Sequence, residues 1–347
     1  MNSGNLMKTF IGLLMLYCLS ANAQSSTKNL YELLTGSWVK TKVSWVDSNR
    51  KEALADYHQS YLKYEFTDAH DLLVFGSYVA NGVKVKHELK GKKLSFGLGR
   101  NFIIEAVDEE RLVMAELVGG ASGKPGIRFE FVKEQLYIDA LPINRDDFIV
   151  EASGDTLFFD SEKFHPRFRH KQYPDFHLYV HNQIKRYYPG GENYFYASFE
   201  IDEHGVIDMV QVFASPNRKT AEKAVAVIKK SGGNWSLPML NGEGVKVLVC
   251  VEDRYNKGKR EASVNQRDIT QRYSESFVRS HQKAVGRYVR KQYDQMTEWL
   301  DWCEKMNPEE PTFLYLKYLY SQAVKDAEAV AKYQNQISNT PLRFLIK

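Results

Sequence analysis

Tyr194-Phe-Tyr-Ala-Ser-Phe-Glu-Ile-Asp-Glu-His-Gly205-Val-Ile-Asp-Met-Val-Gln-Val-Phe213 is the most legible stretch of the chain. Phe195, Ala197, Phe199 and Ile201 alternate on one face of a strand, the period-two pattern of a half-buried sheet. Asp202-Glu-His-Gly205 then closes a hairpin, Gly205 supplying the positive φ that a tight turn requires, and Val206–Phe213 returns. Upstream, Phe176, Val180, Ile184 and Tyr187 share one helical face, and Tyr188-Pro189-Gly190-Gly191 stops that helix. Downstream, Asn217 is a natural N-cap for a helix presenting Ala221, Ala224, Val225 and Ile228, which ends at Gly232-Gly233. Trp235-Ser-Leu-Pro238 crosses over, and Asn241-Gly-Glu-Gly244 turns into a Val-rich strand, Val245–Val251. The order helix, hairpin, helix, strand predicts a small α+β domain over residues 172–255 with about three antiparallel strands.

That layout resembles the C-terminal domain family of TonB. The matching residues are Tyr188 and Pro189, the hairpin closing on Gly205, then Trp235 and Pro238, and the final Val-rich strand. The Trp–Pro spacing is one residue longer than usual, the Gly expected after that turn is missing, and Glu252-Asp-Arg254 replaces the usual apolar ending. The resemblance implies a partner-binding module in which an edge strand accepts an extended peptide by strand addition. Val245, Lys246, Val247, Leu248, Val249, Cys250 and Val251 are the expected edge, its valines facing the helices and Lys246, Leu248 and Cys250 the other side. The implied partner is an envelope protein such as an outer-membrane transporter. The 10 prolines are scattered, with no Pro-rich spacer, so the chain is not expected to transmit proton-motive force alone.

Residues 30–140 read as many short strands: Trp38–Trp45, Tyr61–Phe66, Leu72–Phe75, Leu94–Phe96, Phe102–Glu105, Arg111–Met114 and Ile127–Val132. Turn signals separate them at short intervals, predicting an antiparallel barrel or sandwich. Leu33-Leu-Thr-Gly-Ser-Trp38 is similar to the opening of lipocalin-like domains. In that family the Trp packs at the closed end of the barrel against an Arg from a late strand, which puts Trp38 and Arg128 forward as the closure pair by cation–π contact. The alternative function this implies is a carrier of one small lipid or hydrophobic molecule in the barrel.

Lys8, the apolar run Phe10–Leu19 and Ala21-Asn-Ala23 form a secretory signal peptide over residues 1–23, with Gln24 expected as the mature N-terminus. The run is too short to span a bilayer, and Tyr17 before Cys18 argues against a lipobox. The protein is therefore expected to be exported, periplasmic or outer-membrane associated. Removing Lys8 takes the net charge from +4 to +3, too mild for a nucleic-acid partner. Cys250 and Cys303 remain and are expected as buried free thiols, although export would permit a disulfide.

Residues 141–171 form a connector, and residues 256–347 read as helices. Arg279, Lys283, Arg287 and Lys291 stand at four-residue spacing, a basic stripe suited to an anionic surface or to solvent. The helix ending at Met306-Asn-Pro308, followed by Phe313–Tyr320, is similar to a degenerate tetratricopeptide unit, which would need another domain to bury its core. The fold class expected is thus multi-domain: an all-β barrel-like N-terminal domain, an α+β middle domain and an α-helical C-terminal segment. His177 and His181 stand at i, i+4, but no third metal ligand follows and both are expected on the solvated helix surface. Nucleophile-elbow, dinucleotide and phosphate-loop motifs are missing. No cofactor, no metal and no enzymatic activity are expected.

Overall fold

A computed structural model describes residues 29–340 and 342–346, apart from 48, 51–53, 55–60, 69, 79–81, 98, 120–122, 152, 174 and 257–274. The expected signal peptide and part of the basic segment after residue 256 lie outside the described residues. The chain divides into two compact units, one holding residues 1–76 and 82–137, the other residues 77–81 and 138–347.

The first unit is a closed eight-stranded antiparallel barrel. A short helix α1 (Leu30–Leu34) enters through a capping box, Asn29 accepting from the Tyr31 amide while Glu32 bonds back to Asn29. Strands β1 (Gly36–Trp45), β2 (Lys63–Phe66), β3 (Asp71–Phe75), β4 (Val83–Lys90), β5 (Lys93–Phe96), β6 (Arg100–Val107), β7 (Arg111–Val118) and β8 (Lys124–Lys133) follow as an up-and-down meander. Strand β8 pairs back on β1, from Trp38 opposite Lys133 to Trp45 opposite Ile127. Closure leaves no edge exposed. Alternation sends Trp38, Val43, Tyr64, Phe66, Leu72, Leu94, Phe96, Phe102, Ile104, Leu112, Met114, Ile127, Phe129 and Phe131 into one buried cluster.

The second unit centres on a five-stranded sheet. Its strands are β9 (Phe148–Val150), β10 (Thr156–Phe159), β12 (Glu192–Ile201), β13 (Ile207–Ala214) and β17 (Val247–Asn256), in the order β13-β12-β17-β10-β9. Four further two-residue strands, β11 (Arg167–Phe168) paired with β14 (Trp235–Ser236) and β15 (Met239–Leu240) paired with β16 (Glu243–Gly244), lie outside it, and a short helix α2 (Glu134–Ala140) precedes β9 in the chain. Strand β17 runs antiparallel to β12 along its whole length and parallel to β10 at Val247 and Leu248. Helices α3 (Phe176–Ile184) and α4 (Arg218–Lys230) cover one face, where Val180, Ile184, Ala224 and Ile228 meet Phe195, Phe199, Val247, Val249 and Val251. The four helices α5 (Glu275–Val289), α6 (Tyr293–Met306), α7 (Pro311–Ala323) and α8 (Ala327–Ser338) share a core with the opposite face, through Tyr194, Tyr196, Phe213 and Cys250. The C-terminal helices thus bury their apolar stripes on the sheet, as two helical hairpins too short to form a solenoid must. Gly286 permits this approach: a Cβ there would collide with the Phe159 ring.

Candidate functional site

The barrel interior is the site the fold builds most deliberately. At the end where α1 enters, Trp38 is fully buried and donates its indole N–H to the Leu34 carbonyl at 2.6 Å. Lys133, its register partner on β8, places Nζ 3.8 Å over the indole ring and donates to Thr35 O at 2.8 Å. Arg128 does not close the barrel. It alternates with the inward Ile127 and Phe129, so it points outward, opposite Ser44, and forms a bidentate pair with Glu105. A cation does sit over the tryptophan, but it is the lysine five residues further along the strand.

Above that end the lumen is aromatic. Phe96 stacks on Phe102 at 5.1 Å, and Tyr64 meets Phe96 and Phe131, each at 5.2 Å. Tyr64 is buried, and burial pushes its hydroxyl up to about 12, partly opposed by Arg100. Arg100 and Glu116, which share the inward parity of Phe102 and Met114, are held as a two-bonded pair, Nε to Oε1 at 2.8 Å and Nη2 to Oε2 at 2.9 Å. The guanidinium also lies 5.1 Å from the Phe102 ring. Trp45, Leu62, Val74 and Val85 pack on the core while staying partly accessible.

One inward position breaks the apolar pattern without compensation. His87 on β4 is 5% exposed, between inward Val85 and Leu89. Its ring lies parallel to Tyr31 of α1 at 6.2 Å and edge-on to Phe66 at 5.4 Å. Neither imidazole nitrogen nor the buried Tyr31 hydroxyl has a hydrogen-bond partner among the described residues. The His70 carbonyl, which accepts the His87 backbone amide at 2.9 Å, raises the proton affinity of the ring without reaching hydrogen-bond geometry to it. Burial holds the imidazole below its ordinary range, against the opposing pull of Asp68 and Asp71.

In the second unit the expected docking edge is occupied over Lys246–Leu248. Val247 and Leu248 of β17 are paired on both sides, with Ile201 and Glu200 of β12 and with Phe158 and Phe159 of β10. The alternation is as expected: Val245, Val247, Val249 and Val251 join the α3–α4 core, whereas Leu248 packs with Ile149, Leu157 and Phe159 and Cys250 faces α5–α8. Lys246, expected on an exposed edge, instead bridges Glu151 at 3.0 Å and the fully buried Glu200 at 2.9 Å. Arg290, one residue past the end of α5, reaches the same two carboxylates, closing a four-charge cluster. The strand also continues through Glu252-Asp-Arg254 instead of ending there.

His177 and His181 are not on a solvated surface. Both are buried, because His177, Val180, His181 and Ile184 share one helical face at i, i+3, i+4 and i+7. They face the buried Asp253 of β17: His181 Nδ1 lies 3.0 and 3.1 Å from its two oxygens, and His177 Nε2 lies 3.7 Å away. Tyr188 donates to Asp253 Oδ2 at 2.6 Å, which with burial drives its hydroxyl well above the ordinary range. Among the described residues no cluster of three or more His, Cys, Asp or Glu side chains could hold a metal ion.

The remaining sequence-marked residues are structural. Gly205 takes φ 80° in the hairpin, and the Pro189 and Pro238 carbonyls accept Asn193 Nδ2 and the Val245 amide. Trp235 packs on Phe168, Phe176 and Phe199. The basic stripe does not form one solvated face. Lys283 is buried with Nζ 4.3 Å over Trp299, Arg279 and Arg287 are half-buried, and Arg287 donates to Gln292. Lys291 is exposed beyond the end of α5, at φ 56°. Cys250 and Cys303 are free thiols, burial pushing each up to about 12. No described helix is long and apolar enough to cross a membrane.

The first unit is thus an eight-stranded antiparallel β-barrel, and the chain carries helices and further sheets beside it. It is similar in part to the crystal structure of a bovine odorant binding protein complexed with its natural ligand, at 16% identity over 36% of this chain and 81% of that one, with a TM-score of 0.22. No family model and no curated protein matches the chain, so the likeness of residues 172–255 to TonB domains gains no support from these comparisons.

Proposed function

We propose that the chain is an exported, non-enzymatic binding protein whose barrel holds one small hydrophobic molecule. The observation that carries this reading is the barrel's interior: apolar and aromatic around its circumference, accessible at Trp45, Leu62, Val74 and Val85, and furnished with a few polar groups that face inward. An eight-stranded barrel is just wide enough for its own side chains or for one small ligand. A mostly apolar lining with a small number of placed polar groups is the usual build of a ligand site. Native mass spectrometry of the full chain, purified gently from the envelope, tests it. A retained small molecule lost on unfolding supports the reading. A ligand-free mass for the whole population, with an outer-membrane protein co-purifying, overturns it in favour of docking.

That second reading, a TonB-like partner-binding module, is favoured by one observation. Strand β13 is the outer strand of the sheet, paired only with β12 among the described residues. Docking by strand addition would move there from Val245–Val251, and a bulge at Met209 (φ 47°) would confine it to Val210–Ala214. Site-specific photocrosslinking from Gln211 in the envelope would capture a defined protein under this reading and nothing under the first.

A further inference from the structure

We infer that the Tyr31–His87 pair at the α1 end of the barrel is the head-group site of that ligand, and that it selects an alcohol or amine over a carboxylate. The inference rests on the barrel-carrier reading. Three polar atoms meet there, His87 Nδ1, His87 Nε2 and Tyr31 Oη, all buried and none with a hydrogen-bond partner among the described residues. Native interiors satisfy nearly all such atoms, and an apolar side chain at position 87 would avoid the cost of leaving them unpaired. The aromatic surroundings, Phe66 edge-on and Tyr31 face-on, suit an apolar molecule lying against them.

The charge environment sets the chemistry of the head group. Asp68 accepts the backbone amides of His70 and Asp71, each at 2.8 Å. Asp71 is held down to about 2 by Lys84 and Lys86, which bond its two oxygens from outside the barrel. Both carboxylates raise the Tyr31 hydroxyl, and the field they impose disfavours a second anion. Burial favours the neutral imidazole, which carries its proton on one ring nitrogen and leaves a bare lone pair on the other. A lone pair in a negative field calls for an O–H or N–H donor.

The test uses the full mature chain and the neutral fluorophore N-phenyl-1-naphthylamine, displaced by decan-1-ol, decylamine or decanoate at pH 7.5. The alcohol and the amine should displace it about tenfold more tightly than decanoate, the size of one or two hydrogen bonds. His87→Phe should diminish that preference to the part the two carboxylates impose, keep fluorophore binding and raise the thermal midpoint, since it removes the unpaired imidazole. Tyr31→Phe should weaken the alcohol about threefold. Equal displacement by all three compounds, an undiminished preference in His87→Phe, or a high-resolution complex with only an ordered water on His87 would overturn the head-group site while leaving the carrier intact. Failure of the fluorophore and all three compounds to bind the wild-type chain would overturn the carrier and this site together.

Discussion

The two units distribute buried polarity differently, although among the described residues each leaves some buried atoms without hydrogen bonds, such as His177 Nε2, Ser198 Oγ and His281 Nε2 in the sheet unit. In the sheet unit, buried charge is matched across elements: Glu200 and Glu151 meet Lys246 and Arg290, and Asp253 meets His181, His177 and Tyr188. Each set joins a helical segment to the sheet, the C-terminal end of α5 through the following Arg290 and α3 through the histidines. In the barrel, the inward Arg100–Glu116 pair satisfies itself on neighbouring strands, while His87 and Tyr31 are left without bonds. Paired buried charges fix how elements dock, at a desolvation cost their geometry must offset. Unpaired polar atoms lower stability and are retained where something else uses them. Under the proposed carrier reading, the sheet unit's charge clusters serve architecture and the unpaired Tyr31–His87 atoms of the barrel serve binding.

The largest expected effect follows from removing a member of the four-charge cluster. Glu200→Ala leaves Lys246 and Arg290 sharing one carboxylate in a buried setting. It should cost about 3–5 kcal/mol by denaturant unfolding. Hydrogen exchange should speed up in β12, β17 and α5 and stay unchanged in β1–β8. Protection lost equally in the barrel would break the comparison.

Acid should act next most strongly, and through identifiable histidines. His281 of α5 is buried, and desolvation lowers it to about 4; His177 is lowered for the same reason. These rings fold neutral, so the unfolded chain binds more protons below pH 6.5. Stability is fully present above that pH and falls as pH drops through the window from 6.5 to about 4. For His281 alone the loss is on the order of 3 kcal/mol. His281→Phe should flatten that part of the pH–stability curve, measured by thermal melts. An unchanged slope would show that other groups carry it.

Asp253→Asn keeps the shape of the buried network but removes its charge. About 2 kcal/mol should be lost, because Tyr188 and the histidines then face a weaker acceptor. The amide exchange of α3 reports it; stability equal to wild type would remove the network from the architecture. Smallest is the barrel closure. Lys133→Met should cost about 1 kcal/mol by loss of the cation over Trp38 and its bond to Thr35. Arg128→Met should cost less than that, since its pair with Glu105 is on the outer surface. Tryptophan fluorescence of the barrel distinguishes them, and the reverse order would restore Arg128 as the closing residue.

The barrel was legible because short apolar runs, alternating cleanly along β8, are separated by close turns that leave a meander as the simplest pairing, although β1 and β7 bury successive residues. The hairpin at Gly205 and the two helices on the valine face were legible for the same local reasons. The burial of His177 and His181 was also within reach. Their i, i+3, i+4, i+7 relation to Val180 and Ile184 puts them on the apolar face, and a buried carboxylate partner in β17 was the part no local pattern could supply.

Alternation alone specified which side of Val245–Val251 faces which core, because successive side chains on a strand point to opposite faces whatever the neighbours are. It could not specify whether that strand was an edge. That was decided by Thr156–Phe159, a four-residue run far upstream, which pairs in parallel with Val247 and Leu248 and takes up the backbone groups a docking peptide would need. Position within a sheet is a property of which distant segments meet, and short parallel pairings leave almost no local trace. The same holds for Trp38: its burial followed from its pattern, but the choice of Lys133 over Arg128 as its cation was made by the register of β8 against β1.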